Sequence, residues 1–314
     1  MLQTRLTRLL NIKYPIIQAG MSWASSNAAL PIAVSNAGGL GVIAAGPMYL
    51  DAFRDTVREV KAATDGAFAV NIPLYRPQAE QFLNVIEEEG VPVVIASQGG
   101  PKAHLERFQS RGVRWIHVVS TMPHARKAAD AGVDALVVVG AEAGGHPPVN
   151  GVSTLVAVRR AVVEFDLPIV AGGGVADGYG VAALLALGAD AVQLGTRFLA
   201  TREAGVHENY KRAVLDTDID GTTLVGVRGL PVRMTRNQFA ERVLLADKEE
   251  PDAAAYDTLF KSSSLKQAAL DGDVEWGKVE LGQSAGLIGD LPAAADVMAR
   301  LVEECERAAR RLAG

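Results

Sequence analysis

Two glycine-rich stretches of this chain could hold an anion without the help of a lysine. Pro168-Ile-Val-Ala-Gly-Gly-Gly-Val-Ala-Asp-Gly178 and Gly188-Ala-Asp-Ala-Val-Gln-Leu-Gly-Thr-Arg-Phe198 each read as a short apolar strand, a glycine turn and a helix start. Gly172, Gly173 and Gly174 carry no Cβ to block a ligand, and Gly195-Thr196 repeats the arrangement one strand later. Backbone N–H groups at such turns, with the helix N-termini behind them, attract phosphate. The triple glycine alone is a weak motif. Paired with Gln193-Leu-Gly-Thr196 it becomes specific, because two adjacent late turns are where a TIM barrel grips phosphate.

Other strand ends carry further candidates. Ala19 and Gly20 in Gln18-Ala-Gly-Met-Ser-Trp23 are small enough for a flat ring to approach, with the backbone near Met21 to bond it; a tight turn with Met21 and Trp23 packed as core fits equally. Asn71, just before Ile72-Pro73, either reads the edge of an amide-like ring or caps its turn. In Gly140-Ala-Glu-Ala-Gly-Gly-His-Pro-Pro148, Glu142 and His146 flank Gly144 and Gly145, which leave room for a ligand. An imidazole titrates near neutrality, so His146 suits a general base or acid at carbon. His104, His117, His124 and His207 lie in or beside ordinary helix and strand patterns and read as structural. There is no nucleophile elbow, Walker loop or zinc-type His/Cys spacing, and no metal is expected.

The elements that must position these residues alternate. Candidate strands are 15–19, 41–45, 68–72, 93–96, 115–119, 135–139, 168–171 and 191–194, with amphipathic helices over 50–63, 78–89, 102–111 and 123–131 between them. A cadence of roughly 25 residues per βα unit predicts a parallel sheet. About eight strands with phosphate turns at the last two predict a (β/α)8 TIM barrel; a doubly wound open sheet would place such turns after its first strand. Residues 1–203 form the predicted barrel and 290–314 its closing helix. The 204–289 segment, with Asp216–Asp220, the Gly226–Pro231 turn and the charged stretch Ala246–Asp257, breaks the cadence and predicts a mostly helical cap at the barrel mouth.

Composition agrees. The 314 residues are 49% hydrophobic but 5% aromatic, as for buried parallel strands under small-residue helices. A net charge of −5 offers no basic face for nucleic acid. No signal peptide or spanning segment is expected, and the one cysteine, Cys305, lies in a terminal helix pattern as filler or a surface thiol. A cytoplasmic protein is the expectation.

Taken together, these blocks resemble the nitronate monooxygenase family, formerly 2-nitropropane dioxygenases. The resemblance rests on Pro15-Ile-Ile-Gln-Ala-Gly-Met21, Ala33-Val-Ser-Asn-Ala-Gly-Gly-Leu-Gly41, Glu142-Ala-Gly-Gly-His146, the Ala171–Gly178 turn, Gln193-Leu-Gly-Thr-Arg-Phe-Leu-Ala-Thr201 and Gly282-Gln-Ser-Ala-Gly-Leu-Ile288, nearly the whole chain. It implies FMN bound noncovalently, its phosphate on Gly173, Gly174, Gly195 and Thr196, and its ring against Ala19, Gly20 and Met21 with Asn71 and Gln193 at the polar edge. Glu142, Gly145 and Gly172 complete the implied cofactor site, and His146 becomes the base. The implied reaction converts alkyl nitronates or nitroalkanes with oxygen to a carbonyl compound and nitrite.

Two sister activities share the motifs. FMN-dependent enoyl-acyl-carrier-protein reductases resemble His207-Glu-Asn-Tyr-Lys-Arg-Ala-Val214 and Pro231-Val-Arg233, and NADH:quinone reductases resemble Gln18-Ala-Gly-Met-Ser-Trp23 and the proline at Pro147. Many nitronate monooxygenases carry Arg at that position. The reductase alternative requires NADH or NADPH. A non-catalytic flavin barrel would show degraded strand ends, and an inosine-phosphate dehydrogenase would need a loop cysteine; neither fits. The expected partner is a small molecule, and a homodimer is compatible with this reading.

Overall fold

Eight runs of Val, Ile, Ala and Gly form β1 (Ile16–Gln18), β2 (Gly41–Ala44), β3 (Phe68–Pro73), β4 (Val93–Ser97), β5 (Arg114–Val119), β6 (Ala135–Val139), β7 (Ile169–Gly172) and β8 (Ala191–Leu194) in a computed structural model describing residues 2–249 and 252–313. Their order is β1-β8-β7-β6-β5-β4-β3-β2, and every paired neighbour is parallel. The ring closes between β1 and β2, where Ile17 bridges Leu40. Beyond that bridge a side chain continues the ladder: the Val42 N–H donates to Gln18 Oε1 at 2.9 Å, and Gln18 Nε2 donates to the Val42 carbonyl at 3.2 Å. Gln18 is fully buried because its amide replaces a missing peptide pair. The fold is the (β/α)8 barrel expected from the cadence.

Side-chain alternation along the strands builds two cores. Ile17, Leu40, Val42, Ile95, Ile116, Val137 and Val170 fill the barrel interior, together with Leu6 and Leu10. Those two leucines come from a short helix, Arg5–Leu10, that plugs the barrel floor and that the sequence pattern does not announce. A capping box starts it, with the Thr7 N–H on the Thr4 hydroxyl at 3.2 Å and the Thr4 N–H on the Thr7 hydroxyl at 2.8 Å. Arg5 Nη2 ties it to Asp190 at 2.8 Å, just before β8. Outward-facing Ile43, Val70, Val94, Trp115, Leu136 and Val192 pack under the helices.

After β8 the chain makes helix Glu208–Leu215 and then an antiparallel hairpin, β9 (Thr222–Val225) and β10 (Val232–Thr235), with Val225 opposite Val232. Helices Gln238–Glu249, Ala253–Lys261 and Leu265–Ala269 follow. The expected mostly helical segment therefore contains a ribbon, and the Gly226–Pro231 turn is its loop. An antiparallel ribbon this short falls outside the βα cadence that marks the equally short β2, β7 and β8. Hairpin and helices share a satellite core of Val225, Met234, Phe239, Val243 and Tyr256. Glu250 and Pro251 of the charged stretch, and Gly314 of the closing segment, lie outside the described residues.

Helix Ala294–Ala313 closes the ring against helix Gly178–Ala186. A Cβ on Gly178 would come within 2.3 Å of the Leu301 carbonyl oxygen, so glycine sets that approach. Cys305 is buried in the same seam as filler. No helix among the described residues is long and apolar enough to cross a membrane.

Candidate active site

The C-terminal ends of β1, β6, β7 and β8 open on one cavity of about 300 Å³, lined by Ala19, Gly20, Met21, Glu142, Gly145, His146, Gly172, Gly173, Gly174, Gln193, Gly195 and Thr196. These are all the residues singled out from sequence except Asn71. Asn71 lines a second, outer cavity of about 1180 Å³ that shares Gly20, Ser22, Val139, His146, Gln193, Leu265 and Glu280 with the first.

The two glycine turns differ in what fixes them. Gly173 and Gly174 have φ of 108° and 76°, the left-handed region that L side chains avoid. A Cβ on Gly173 would also stand 2.9 Å from Thr154 Oγ1. A Cβ on Gly195 would meet nothing nearer than Met21 Sδ at 3.6 Å, so that residue borders open space. The Thr196 hydroxyl accepts the Gly282 N–H at 3.0 Å, which leaves its own proton to donate.

The loop after β6 is braced from two sides. Glu142 turns away from solvent to cap helix Thr154–Glu164: its carboxylate accepts the Thr154 N–H at 2.9 Å and the Thr154 hydroxyl at 2.8 Å. On the other side β10 pairs with the loop, Gly145 N–H donating to the Arg233 carbonyl at 3.1 Å and Arg233 N–H to the Gly145 carbonyl at 2.7 Å. Arg233 Nε adds a bond to the Ala141 carbonyl at 2.9 Å.

His146 stands where these braces meet. Its Nδ1 lies 3.0 Å from the Pro231 carbonyl oxygen, an acceptor only, so Nδ1 carries the proton and Nε2 keeps its lone pair. The imidazole is thereby oriented by a residue of the hairpin loop.

Around β1 a side chain closes the turn, and at β3 Asn71 bonds across to the neighbouring strand. The Met21 N–H donates to Ser25 Oγ at 3.0 Å, and Asn71 Nδ2 donates to the Ile95 carbonyl at 3.0 Å. The Asn71 side chain packs on Gly20, where a Cβ would be 2.3 Å from Asn71 Cβ. The two small residues thus leave a flat platform. Trp23 and Gln98, both lining the outer cavity, adopt left-handed backbone with φ of 68° and 53°. Such strain in non-glycine residues gathers at functional loops.

Several site residues lie outside the glycine-rich strand-end motifs. Tyr210, from helix Glu208–Leu215, donates its hydroxyl to the Glu280 carbonyl at 3.1 Å. The half-buried Glu280 lines both cavities, and burial pushes its carboxyl up against the opposite pull of His146 and Lys278. His117, assigned a structural role from sequence, is buried on β5 yet borders the outer cavity; burial lowers its imidazole to about 4. Pro231, Arg233 and Glu280 belong to the segment after β8, where no glycine motif marks them. Among the described residues no three His, Cys, Asp or Glu side chains gather to hold a metal.

A flavin phosphate and ring fit these features. The turns supply an unobstructed anion cradle, the β1 platform is flat, and Gln193 Oε1 is buried without a hydrogen-bond donor, as an acceptor awaiting a ring N–H would be.

The barrel opens on a cavity with glycine turns after β7 and β8 and, after β6, a histidine whose ring is held by a backbone carbonyl. The nitronate monooxygenase model matches residues 3–304, and the chain belongs to that family. It is 33% identical to an octahydro-indene-carboxyl-CoA dehydrogenase of Mycobacterium tuberculosis, over 96% of this chain and 95% of the relative. Among solved structures, FabK from Thermotoga maritima superposes with a TM-score of 0.93 at 38% identity, covering 100% of this chain and 99% of that one. A nitroalkane oxidase from Streptomyces ansochromogenes gives a TM-score of 0.84 at 29% identity, covering 98% and 99%.

Proposed function

We propose that this chain is an FMN-dependent nitronate monooxygenase, with His146 as the base. The carrying observation is the His146 tautomer: Nδ1 is committed to Pro231, which leaves Nε2 free at the junction of the two cavities. FMN, when bound, accepts electrons from the nitronate and passes them to oxygen. The chain's own part is to hold and orient. Gly173, Gly174, Gly195 and Thr196 bind the phosphate; Ala19, Gly20 and Met21 support the ring; Gln193 and Asn71 border its polar edge. Gly145 and Gly172 keep the approach open, and Glu142 holds the loop that carries His146. With a neutral nitroalkane, Nε2 abstracts the α-proton; with a preformed nitronate, His146 orients it.

A second reading has its own support. The outer cavity of about 1180 Å³ exceeds what a small nitronate needs, and its lining includes Lys127, His124 and Lys266. That suits a larger anionic reactant, such as NADH or NADPH with an enoyl thioester or quinone. Anaerobic mixing of the flavin-loaded protein with an alkyl nitronate, NADH or NADPH separates the two. Loss of the visible flavin band with nitronate alone supports the monooxygenase; loss with a nicotinamide alone makes the chain a reductase.

A further inference from the structure

Glu280 and Gly282 line the inner cavity, and hydrogen bonds hold the backbone from Val279 to Gly282 in place. The Thr235 N–H donates to the Val279 carbonyl at 2.9 Å, Tyr210 holds the Glu280 carbonyl, and the Gly282 N–H reaches Thr196 Oγ1 at 3.0 Å. The Glu280 side chain therefore projects from a rigid mount into the neck where both cavities meet His146 and Gln193. Its Oε2 lies 3.2 Å from where a Cβ on Gly145 would stand, beside the residue that precedes His146.

Nothing on the protein takes up that carboxyl. No hydrogen bond or ion pair to it is formed by a described residue. Tyr210 uses the backbone carbonyl instead. The cation two residues away, Lys278, is drawn off to the Phe260 carbonyl at 2.9 Å, over the Phe260 ring at 3.7 Å. An unpaired carboxylate in such a neck is disfavoured, so a carboxyl there persists as the neutral acid or awaits a ligand. Burial raises its pKa, with His146 and Lys278 opposing.

We propose that Glu280 is a second catalytic residue, a hydrogen-bond donor to the substrate oxygen on which negative charge develops while His146 takes the proton from carbon. The inference rests on the proposed nitronate chemistry. In that step the C–H bond breaks, its electron pair moves through carbon into the nitro group, the proton goes to His146 Nε2, and the charge appears on nitro oxygen. The Glu280 O–H stabilises that oxygen without transferring its proton. A preformed nitronate already carries the charge and needs the donor less.

The groups facing Glu280 are His146 from the β6 loop, Tyr210 from its helix, Lys278 on its own segment and Lys266 across the outer cavity. The function is present while the carboxyl is protonated and lost as pH rises through its raised pKa. Wild type should therefore show an alkaline limb with neutral nitroalkane, activity falling as the Glu280 carboxyl ionises. Glu280→Gln keeps a donor of the same shape that does not ionise, so the alkaline limb should vanish while flavin content stays full. Glu280→Leu should slow nitroalkane deprotonation roughly 10²-fold, the usual loss for one oxyanion donor, and preformed nitronate much less.

The readout that needs no turnover is infrared difference spectroscopy of the flavin-loaded protein, in which the protonated-carboxyl C=O stretch should be present in wild type and absent in Glu280→Gln. An alkaline limb retained in Glu280→Gln, equal rates for Glu280→Leu and wild type, or no carboxyl band would overturn the proposal. Wild type run in parallel keeps the two hypotheses apart: flavin that nitronate fails to bleach refutes the nitronate reading, whereas normal bleaching with indifferent Glu280 variants refutes only this assignment.

Discussion

At the scale of single residues the site separates binding from proton transfer, and two substitutions address them independently. His146→Ala removes the base but no phosphate or ring contact, so the purified variant should keep its FMN. Its reduction by neutral nitroalkane should slow roughly 10²-fold or more, the usual share of a positioned base. Stopped-flow bleaching measures this, and a full-speed variant would remove His146 from the mechanism. Gly173→Val asks the converse question. Valine at φ of 108° is strained, and its Cβ would press on Thr154 Oγ1 at 2.9 Å. The expected product is colourless protein of normal secondary structure; a yellow, saturated variant would show that the phosphate lies elsewhere. Gly195, with open space beyond it, should tolerate alanine but lose FMN with any larger side chain.

At the scale of elements the hairpin is the least expected contributor. β10 pairs with the glycine loop at Gly145, and the loop before it supplies the Pro231 carbonyl that sets the His146 tautomer. Arg233→Leu deletes the bond to the Ala141 carbonyl and that to the Thr222 hydroxyl while keeping an apolar stem. The expected result is retained FMN with deprotonation slowed about tenfold, since misorienting a base costs less than removing it. Flavin content and nitroalkane reduction measured together test this; loss of both would mean that the ribbon holds the cofactor as well. The strands and their phosphate turns were legible because β-branched runs ending in glycine are a local signal. Glu142 and His146 were legible because polar residues among glycines have no packing role. The floor helix was not, since Leu6 and Leu10 alone make its buried face. Nor was Glu280, whose importance comes from what surrounds it in space, as Tyr210, Lys278 and Gly145 are far apart along the chain or silent in pattern. Asn71 and Met21 were legible as positions, but not their bonds, Met21 N–H to Ser25 within the β1 turn and Asn71 Nδ2 to Ile95 on β4, which depend on neighbours that no motif marks.

At the scale of the whole molecule, response to acid should be governed by one buried imidazole more than by the many surface ion pairs, which are individually weak. His117 sits on β5 at 5% exposure, with Nδ1 lacking a partner. Burial lowers its pKa from 6.5 to about 4, partly offset by a hydrogen bond to the Gly99 backbone. The sign follows from proton counting. Above about pH 6.5 neither state is protonated at this site, and His117 contributes its full packing. As pH falls through 6.5 toward 4, the unfolded chain binds a proton that the folded barrel refuses, so stability declines. The loss should reach on the order of 3 kcal/mol and level off once the folded imidazole also titrates. His117→Leu removes the titration while keeping an apolar side chain between the strand and helix Met122–Ala131. The variant should show a flatter stability profile below neutral pH. Urea midpoints for wild type and variant across pH 4 to 8 test the idea. Parallel profiles would assign the acid sensitivity to groups other than His117.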